Sequence, residues 1–290
     1  MEHERGESDA AGPAGAAGRR GASTSARADS RSEASSPVKP PVKAPVKPRG
    51  RPPPRSKLSR PERVELFDRL RRQRPAPAPE LTFTDPYTLL VAVTLSAQAT
   101  DRGVNRATRT LFAAAPDPAR MVALGVDGVG EHVRTIGLWR GKARNVVALS
   151  EALLRDHAGE VPRDRDALVA LPGVGRKTAN VVLNLGFGEP TMPVDTHVLR
   201  LANRIGLAPG KTPEIVERGL ERAVPPEFAV DAHHWLILHG RYVCRARRPL
   251  CEHCVIADLC RFKERTARTP AAIAEASPNG PPPGVPDVGG

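Results

Sequence analysis

Apolar residues recur along the middle of the chain every three to four positions, which is the period of an α-helix. Residues 61–74 carry their apolar side chains on one helical face, and residues 87–97 are apolar nearly all round, as in a buried central helix. Further stretches with this period are 102–114, 143–157, 166–171, 176–185 and 198–205. No sustained two-residue alternation bounded by hairpin turns occurs. The pattern therefore predicts an all-α fold.

Two more helices are predicted from the residues that would begin them. Thr212 followed by Pro213 supplies a side-chain N-cap and a proline at the first helical position. Asp231 is placed to cap the stretch that runs through Trp235 and Leu238. Helical structure is thus expected on both sides of residue 225.

The two ends of the chain differ from its middle. Residues 1–58 contain few large apolar side chains and are rich in Ala, Gly, Ser, Arg and Pro, which is typical of a disordered tail. Residues 268–290 are rich in Pro and Gly and give the same prediction. The folded part is therefore expected over about residues 58–267, which is long enough for a sizeable core.

Charge narrows the classes of partner. The 290 residues include 44 Lys and Arg against 32 Asp and Glu, and the net charge of +12 favours a polyanion. No apolar run approaches the roughly 18 residues that span a bilayer, so an integral membrane protein is excluded. The polar start MEHERGESDA lacks the apolar core of a secretory signal, and we therefore expect a reducing compartment.

The basic part of the N-terminal tail is a candidate DNA-binding arm. Pro-Val-Lys occurs three times before Arg49-Gly50-Arg51, and residues 36–60 hold eight basic residues and no acidic one. Such an arm gains affinity from phosphate contacts whatever the DNA sequence. Arg-Gly-Arg-Pro resembles an AT-hook, in which Arg49 and Arg51 would enter a narrow minor groove. The alternative is a solubilising linker whose charge is incidental.

All four cysteines lie within 17 residues, at Cys244, Cys251, Cys254 and Cys260, with the spacing C-x6-C-x2-C-x5-C. Two local disulfides are possible, but clustered cysteines in a reducing compartment more often bind metal. Four thiolates suit either tetrahedral zinc or an iron–sulfur cluster, and the spacing alone favours zinc slightly.

Three arginines, Arg245, Arg247 and Arg248, lie between the first two cysteines. A metal site that pins this loop would present their guanidinium groups as a phosphate-binding surface.

Leu171-Pro172-Gly173-Val174-Gly175 separates two predicted helices by a turn too short for side chains to bind a ligand. Gly173 and Gly175 let the chain reverse sharply, and they let an anion approach the N–H groups that begin the next helix. The sequence is typical of a helix–hairpin–helix DNA-binding element, with Arg176 at its edge. An ordinary turn between helices is the alternative.

Lys177 and Asp195 are the candidate catalytic pair. The chain has 8 Lys against 36 Arg, so a lysine directly after Arg176 is unexpected. An ammonium can lose its proton and become a nucleophile, whereas a guanidinium effectively cannot. Asp195 precedes the apolar-periodic residues 198–205, where it would act as an N-cap that also fixes an ionised carboxylate beside an amine.

Five segments together resemble the endonuclease III family of DNA glycosylases in order and spacing. They are TLSAQATD (94–101), IGLWRGKARN (136–145), LPGVGRKTANVVLNLG (171–186), PVDTH (193–197) and HHWLILHGRYVCRARRPLCEHCVIADLC (233–260). The resemblance covers about residues 60–265. It implies two helical lobes: a central one of residues 79–190 with the hairpin, and an iron–sulfur lobe of residues 59–78 plus 191–267.

The resemblance also implies roles for individual residues. Lys177 would be the Schiff-base lysine and Asp195 the catalytic carboxylate, while the four cysteines would hold a [4Fe-4S] cluster. Gln98 would fill the space left by an extruded nucleotide, and Leu138 would be an apolar wedge, unless it packs in the core. His197 would make a local structural or phosphate contact.

The implied enzyme is a bifunctional DNA glycosylase and AP lyase that removes oxidised pyrimidines and cuts the strand 3′ to the lesion by β-elimination. We expect a monomer that binds double-stranded DNA with a damaged base or an abasic site, has no membrane partner, and is cytoplasmic and nucleoid-associated. An adenine glycosylase would lack the catalytic lysine at position 177 and carry a further C-terminal domain. A non-catalytic DNA-binding or redox-sensing iron–sulfur protein is the other alternative.

Overall fold

A computed structural model describes residues 52–264, in which ten α-helices and two short 3₁₀ turns form the regular structure. The helices are α1 (Arg60–Gln73), α2 (Pro86–Ser96), α3 (Asp101–Ala114), α4 (Pro118–Val133), α5 (Trp139–Asp156), α6 (Arg165–Ala170), α7 (Arg176–Phe187), α8 (Thr196–Ile205), α9 (Pro213–Ala223) and α10 (Ala232–Tyr242). The described part contains no β-strand, and the predicted all-α class is confirmed. None of these helices combines the length and hydropathy that crossing a membrane requires.

Most helices begin at a short polar side chain that accepts a hydrogen bond from the first turn. These N-caps are Ser59, Asp85, Thr100, Asp117, Asp164, Asp195 and Thr212. The predicted cap at Thr212, with Pro213 behind it, is confirmed. The predicted cap at Asp231 is wrong: its backbone is already helical, and its side chain makes no capping hydrogen bond.

The sequence pattern does not predict α4. Three glycines fall between residues 125 and 130, and Gly125 has a φ of +71° that breaks the helix locally. Glycine lowers helix propensity and interrupts the apolar period, which explains why the pattern gives no helix here. Met121 and Val129 are nevertheless buried, because α4 packs closely against α5.

Two hydrophobic cores form in the described residues. The first is built by residues 81–187 around α2, whose residues 87–95 are all buried, as predicted for a central helix. The second joins α1 to α8, α9, α10 and the cysteine loop, and it contains the ring stack of Phe67, Phe228 and Trp235. The cores agree with lobes over residues 79–190 and 59–78 plus 191–267, and we keep that division as a proposal.

The folded part begins earlier than residue 58. Leu58 is only 2% exposed and belongs to the second core, and the Lys57 N–H donates to the Gly206 carbonyl at 2.8 Å. These contacts lie at the predicted boundary between the tail of residues 1–58 and the folded part expected from about residue 58. Residues 1–51 and 265–290 lie outside the described range.

A buried carboxylate joins helix α9, which belongs to the second core, to the two helices of the hairpin. Glu217 of α9 is 3% exposed and accepts hydrogen bonds from Arg176 Nε and Nη2, both at 2.8 Å. Asn180 Nδ2 donates to it at 3.0 Å and Arg165 Nη1 at 3.3 Å. We call these four residues the Glu217 cluster. It ties both helices of the hairpin, α6 and α7, to the second core.

Removing this carboxylate should destabilise the fold. We expect Glu217→Ala to lower the free energy of unfolding by about 3 kcal/mol, near the lower end for a broken buried ion pair, because Arg165 and Arg176 can reach water. Urea titration of the purified protein, followed by circular dichroism, measures the change in the free energy of unfolding. Glu227→Ala, at an exposed glutamate, is the control. Equal midpoints for the two variants would contradict a stabilising role for the Glu217 cluster.

Candidate active site and metal centre

The turn between α6 and α7 has the geometry of an anion site. Gly173 has a φ of +76°, and a Cβ there would lie 2.7 Å from Asn145 Nδ2, so only glycine fits. Gly175 is the N-cap of α7 and supplies no side chain, and the space around it is open. The first N–H groups of α7 therefore have no side-chain cap, and no side chain crowds the N-cap glycine.

Arg176 has a partner that the sequence does not indicate. Its guanidinium forms a two-point pair with Glu217, although 46% of the side chain is exposed. The arginine thus fixes the start of α7 in the fold. A DNA contact by Arg176 stays a prediction, and it would have to use the exposed edge of a guanidinium that is already paired.

Lys177 lines an open cavity of about 600 Å³. The other lining residues are Ala78, Pro79, Glu80, Leu81, Val93, Ser96, Asp101, Val181, Leu185, His233, His234, Ile237, Leu238 and Arg241. The cavity is therefore bounded by residues 78–101, by α7 and by α10. It is mostly apolar but carries charged groups of both signs, which suits a ligand with a flat ring and polar edges.

Asp195 is held rigidly. One of its oxygens, Oδ1, accepts from the His197 N–H at 2.9 Å and the Val198 N–H at 2.8 Å, as the predicted N-cap requires. Burial raises the pKa of the nearby Asp101 carboxyl. The charge of Asp195 also raises this pKa, whereas the charges of Lys177 and His197 lower it. These four side chains therefore share one electrostatic environment. Asp101 is not among the predicted site residues, although it ends the segment TLSAQATD.

His197 has a structural environment. Its Nδ1 lies 3.3 Å from Arg200 Nη2, and a Cβ on Gly240 would lie 3.0 Å from its carbonyl oxygen. The histidine thus lies where α8 and α10 approach each other closely. This agrees with the local structural role suggested for it, and a phosphate contact stays a prediction.

Gln98 and Leu138 both have left-handed backbone conformations, with φ of 54° and 60°. Leu138 is 68% exposed, so it does not pack in the core. The two loops are neighbours, since a Cβ on Gly137 would lie 3.8 Å from the Gln98 carbonyl oxygen. An exposed leucine on a strained backbone is unusual for a purely structural residue.

The four cysteines line one cavity of about 360 Å³ and form no disulfide. Within residues 52–264, no group of three or more His, Cys, Asp or Glu side chains is arranged to hold a single metal ion. The fold therefore brings all four thiols to one shared space, as zinc or an iron–sulfur cluster would require.

Arginines of α8 hold the loop between the first two cysteines. Arg204 donates to the carbonyls of Arg245 and Ala246, both at 2.7 Å, and its Nη1 lies 3.5 Å from Cys244 Sγ. Arg200 donates to the Gly240 carbonyl at 2.6 Å and the Cys244 carbonyl at 3.1 Å. The loop backbone is thereby fixed from one side.

The three loop arginines predicted to bind phosphate are all exposed. Arg245 Nε donates to the Tyr242 carbonyl at 3.0 Å, so this guanidinium is partly engaged. The exposed positions of Arg247 and Arg248 agree with a phosphate-binding surface, which remains a prediction.

Known families match two parts of the chain. Residues 91–226 match the HhH-GPD superfamily base excision DNA repair protein, a range that includes the hairpin, Lys177 and Asp195. Residues 244–260 match the iron–sulfur binding domain of endonuclease III. The class of protein is therefore a helix–hairpin–helix DNA glycosylase with an iron–sulfur loop.

Individual relatives narrow this class. Endonuclease III of Escherichia coli K12 is 56% identical over 208 residues, which are 72% of this chain and 99% of that protein. Endonuclease III of Treponema pallidum is 54% identical over 195 residues, or 67% and 92% of the two chains. The chain belongs to the endonuclease III family.

Solved structures of other proteins have the same fold as this chain. A trapped covalent intermediate of endonuclease III with DNA has a TM-score of 0.66 and 41% identity, and the match covers 70% of this chain and 96% of that one. A thermostable thymine-DNA glycosylase shares the fold, with a TM-score of 0.63 at 24% identity over 71% and 98% of the chains.

The chain is thus a DNA glycosylase and AP lyase of base excision repair. A lysine Schiff base and strand cleavage by β-elimination are standard for this family. Its cofactor is a [4Fe-4S] cluster, so the slight preference for zinc that the spacing alone gave is wrong.

The contacts of Arg204 predict how firmly this cluster is held. Arg204→Ala removes two charged hydrogen bonds to the loop, each of which contributes about 1.5–3 kcal/mol. We expect the variant to release iron at least about tenfold faster under a chelator, since 1.4 kcal/mol corresponds to a factor of ten. The decay of the visible absorbance band measures this rate. Arg222→Ala, at an exposed arginine of α9, should decay like wild type, and a shared rate in all three proteins would contradict the prediction.

Proposed function

We propose that Lys177 is the Schiff-base nucleophile and Asp195 the carboxylate that assists it. The observation that carries this proposal is the position of Lys177 at an open cavity lined by Asp101, a carboxyl group that the charges of both Lys177 and Asp195 influence. Only 8 of the 44 basic residues are lysines, and Lys177 is the lysine that lines this cavity. Because Asp195 is fixed by two main-chain N–H groups, its carboxylate needs little reorganisation during the reaction.

The proposed reaction begins when the neutral Lys177 amine attacks the sugar C1′ of the damaged nucleotide. The bond from C1′ to the base breaks, the base leaves with the electron pair and takes up a proton, and Asp195 stabilises the positive charge that develops on the sugar. The amine nitrogen loses its protons as the ring opens and an imine forms. Removal of a C2′ proton then expels the 3′ phosphate by β-elimination, and water releases the lysine.

The proposed substrate is double-stranded DNA that contains a damaged base or an abasic site. Chemistry on a base requires its removal from the stack, and the base would enter the cavity beside Lys177. Leu138 would wedge into the duplex and Gln98 would occupy the vacated space. Their adjacent loops and the exposure of Leu138 support these roles.

Phosphate contacts are proposed at two places. The hairpin around Gly173 and Gly175 offers the uncapped N–H groups of α7 to one phosphate. The loop arginines Arg245, Arg247 and Arg248 offer guanidinium groups to others, with support from their exposure. We further propose that the chain acts as a monomer and is cytoplasmic and nucleoid-associated. The net charge of +12 supports a nucleoid partner.

Borohydride trapping tests the nucleophile. On duplexes with one thymine glycol or one abasic site, wild type should form a covalent adduct, and Lys177→Ala should form none because no amine is left to make the imine. Asp195→Asn should react more slowly by roughly 100-fold or more, as expected for removal of a positioned acid–base group. Lys211→Ala, at an exposed lysine outside the cavity, is the matched control. An adduct of normal yield with Lys177→Ala would reject the assignment.

The basic arm is proposed to add affinity for undamaged DNA. Arg49 and Arg51 lie outside the described residues, so this proposal stands on the sequence alone. Deletion of residues 1–51 removes the arm and keeps the buried Leu58. We expect the slope of the logarithm of the DNA-binding constant against the logarithm of salt concentration to become shallower by about 0.9 for each phosphate that the arm neutralises. Fluorescence anisotropy on an undamaged duplex measures the slope. Base excision should persist, and an unchanged slope would leave the arm without its proposed role.

A further inference from the structure

One histidine of α10 contacts the cysteine loop at two places. The His239 carbonyl accepts hydrogen bonds from the Val243 N–H at 3.0 Å and the Cys244 N–H at 2.8 Å. Its ring nitrogen Nε2 lies 3.4 Å from Cys254 Sγ, within hydrogen-bonding distance of the sulfur. A single residue thus contacts both the first and the third cysteine of the cluster site.

His239 also lines the cavity that the four thiols share. Apart from the cysteines, the described lining residues are apolar except for Arg204 and His239. His239 is 4% exposed, so its ring must find partners within the protein. Nε2 has the Cys254 sulfur, whereas Nδ1 is buried without a partner. The contact with Cys254 is therefore the one hydrogen bond that the described part of the chain gives this ring.

The direction of this hydrogen bond follows from the chemistry of the two groups. A cysteine that binds a metal cluster does so as a thiolate, which can only accept. The imidazole must then carry its hydrogen on Nε2, and it would donate from there as a neutral ring or as an imidazolium. The tautomer with hydrogen only on Nδ1 would bury an unpaired donor and turn a lone pair toward the sulfur. His239 is thus the donor and Cys254 the acceptor.

A hydrogen bond to a ligand sulfur affects the redox chemistry of a cluster. Such bonds are among the features that set the reduction potential of iron–sulfur clusters. A donor stabilises negative charge on the sulfur, and the reduced form of any couple carries one more negative charge than the oxidised form. Donation from His239 to Cys254 therefore favours the reduced form. The sign of this effect is the same for every one-electron couple of the cluster.

We propose that His239 raises the reduction potential of the [4Fe-4S] cluster by donating a hydrogen bond to the Cys254 thiolate. The inference concerns the cofactor and does not depend on the role proposed for Lys177. A residue that only filled space beside the cysteine loop would hold the loop in place, but its N–H group would have no part in the potential. The two roles are therefore separated by variants that keep or remove a donor at position 239.

Film voltammetry of the purified holoprotein tests the proposal. It measures the midpoint potential as one electron passes between the electrode and the cluster. His239→Leu replaces the ring by an apolar side chain that suits a buried position and cannot donate. We expect its midpoint to be lower than that of wild type by roughly 59 mV, which corresponds to a tenfold change in the ratio of reduced to oxidised cluster for one electron.

Two further substitutions at the same position separate the donor from the shape of the side chain. His239→Gln keeps a neutral N–H donor, so its midpoint should lie between those of His239→Leu and wild type. His239→Met has no donor, and its flexible side chain adapts to irregular space, so its midpoint should resemble that of His239→Leu. The visible absorbance per chain reports how much cluster each variant retains.

His253→Leu is the matched control. His253 precedes Cys254 directly in the chain, but it is exposed, whereas His239 is buried. The same substitution at this position should leave the midpoint at the wild-type value. An equal shift in His253→Leu would overturn the proposal, because any histidine near the cysteines would then have the same effect.

The variants at position 239 decide the remaining outcomes. An unchanged or higher midpoint in His239→Leu or His239→Met that retains the cluster would overturn the proposal. Loss of the cluster from all three variants would give His239 a purely structural role and overturn it as well. If only His239→Gln retains the cluster, a midpoint at or above that of wild type would overturn it, because an amide N–H is a weaker donor than an imidazole N–H.

Discussion

One buried carboxylate, Glu217, fixes the part of the structure on which the chemistry depends. A charge at that depth is tolerated only when its oxygens are fully paired, and here the partners come from both helices of the hairpin. Arg176 and Asn180 are one helical turn apart on α7, so their shared partner sets the rotation of that helix. Lys177 is the next residue after Arg176 and lies about 100° further round, where it reaches the cavity. The hairpin and the proposed nucleophile are thus oriented together.

A second link runs through α8. Asp195 caps the N-terminus of this ten-residue helix, and Arg204 near its C-terminus holds the cysteine loop by two carbonyls. A short helix is stiff, so the carboxylate and the loop belong to one rigid unit. Close packing at Gly240 brings α10 against α8, and α10 supplies one wall of the cavity. The cysteine loop is therefore joined through α8 and α10 to both the Asp195 carboxylate and the cavity.

Features set by near neighbours in the chain could be predicted from the sequence, while features set by distant contacts could not. The cap at Thr212, the turn glycine at 173 and the cysteine loop follow from local chemistry. The pairing of Arg176 with Glu217 spans 41 positions, and that of Arg241 with Asp101 spans 140, so no periodicity reveals them. Leu138 shows the same limit, because an isolated leucine looks identical whether it faces a core or a ligand. Only its exposure in the fold decides between the two interpretations.

The backbone strain at Gln98 and Leu138 has a physical explanation in the roles proposed for these two residues. A left-handed backbone costs a non-glycine residue about 1–3 kcal/mol, and such positions persist only where surrounding structure enforces them. Three non-glycine residues of the described range have positive φ, and two of them are Gln98 and Leu138. The third, Ala158, follows the end of α5, where this conformation is common. Because the fold already bears this strain without DNA, the loops would need little reordering to enter a duplex in the proposed way. More of the binding energy is then left to move the base out of the stack.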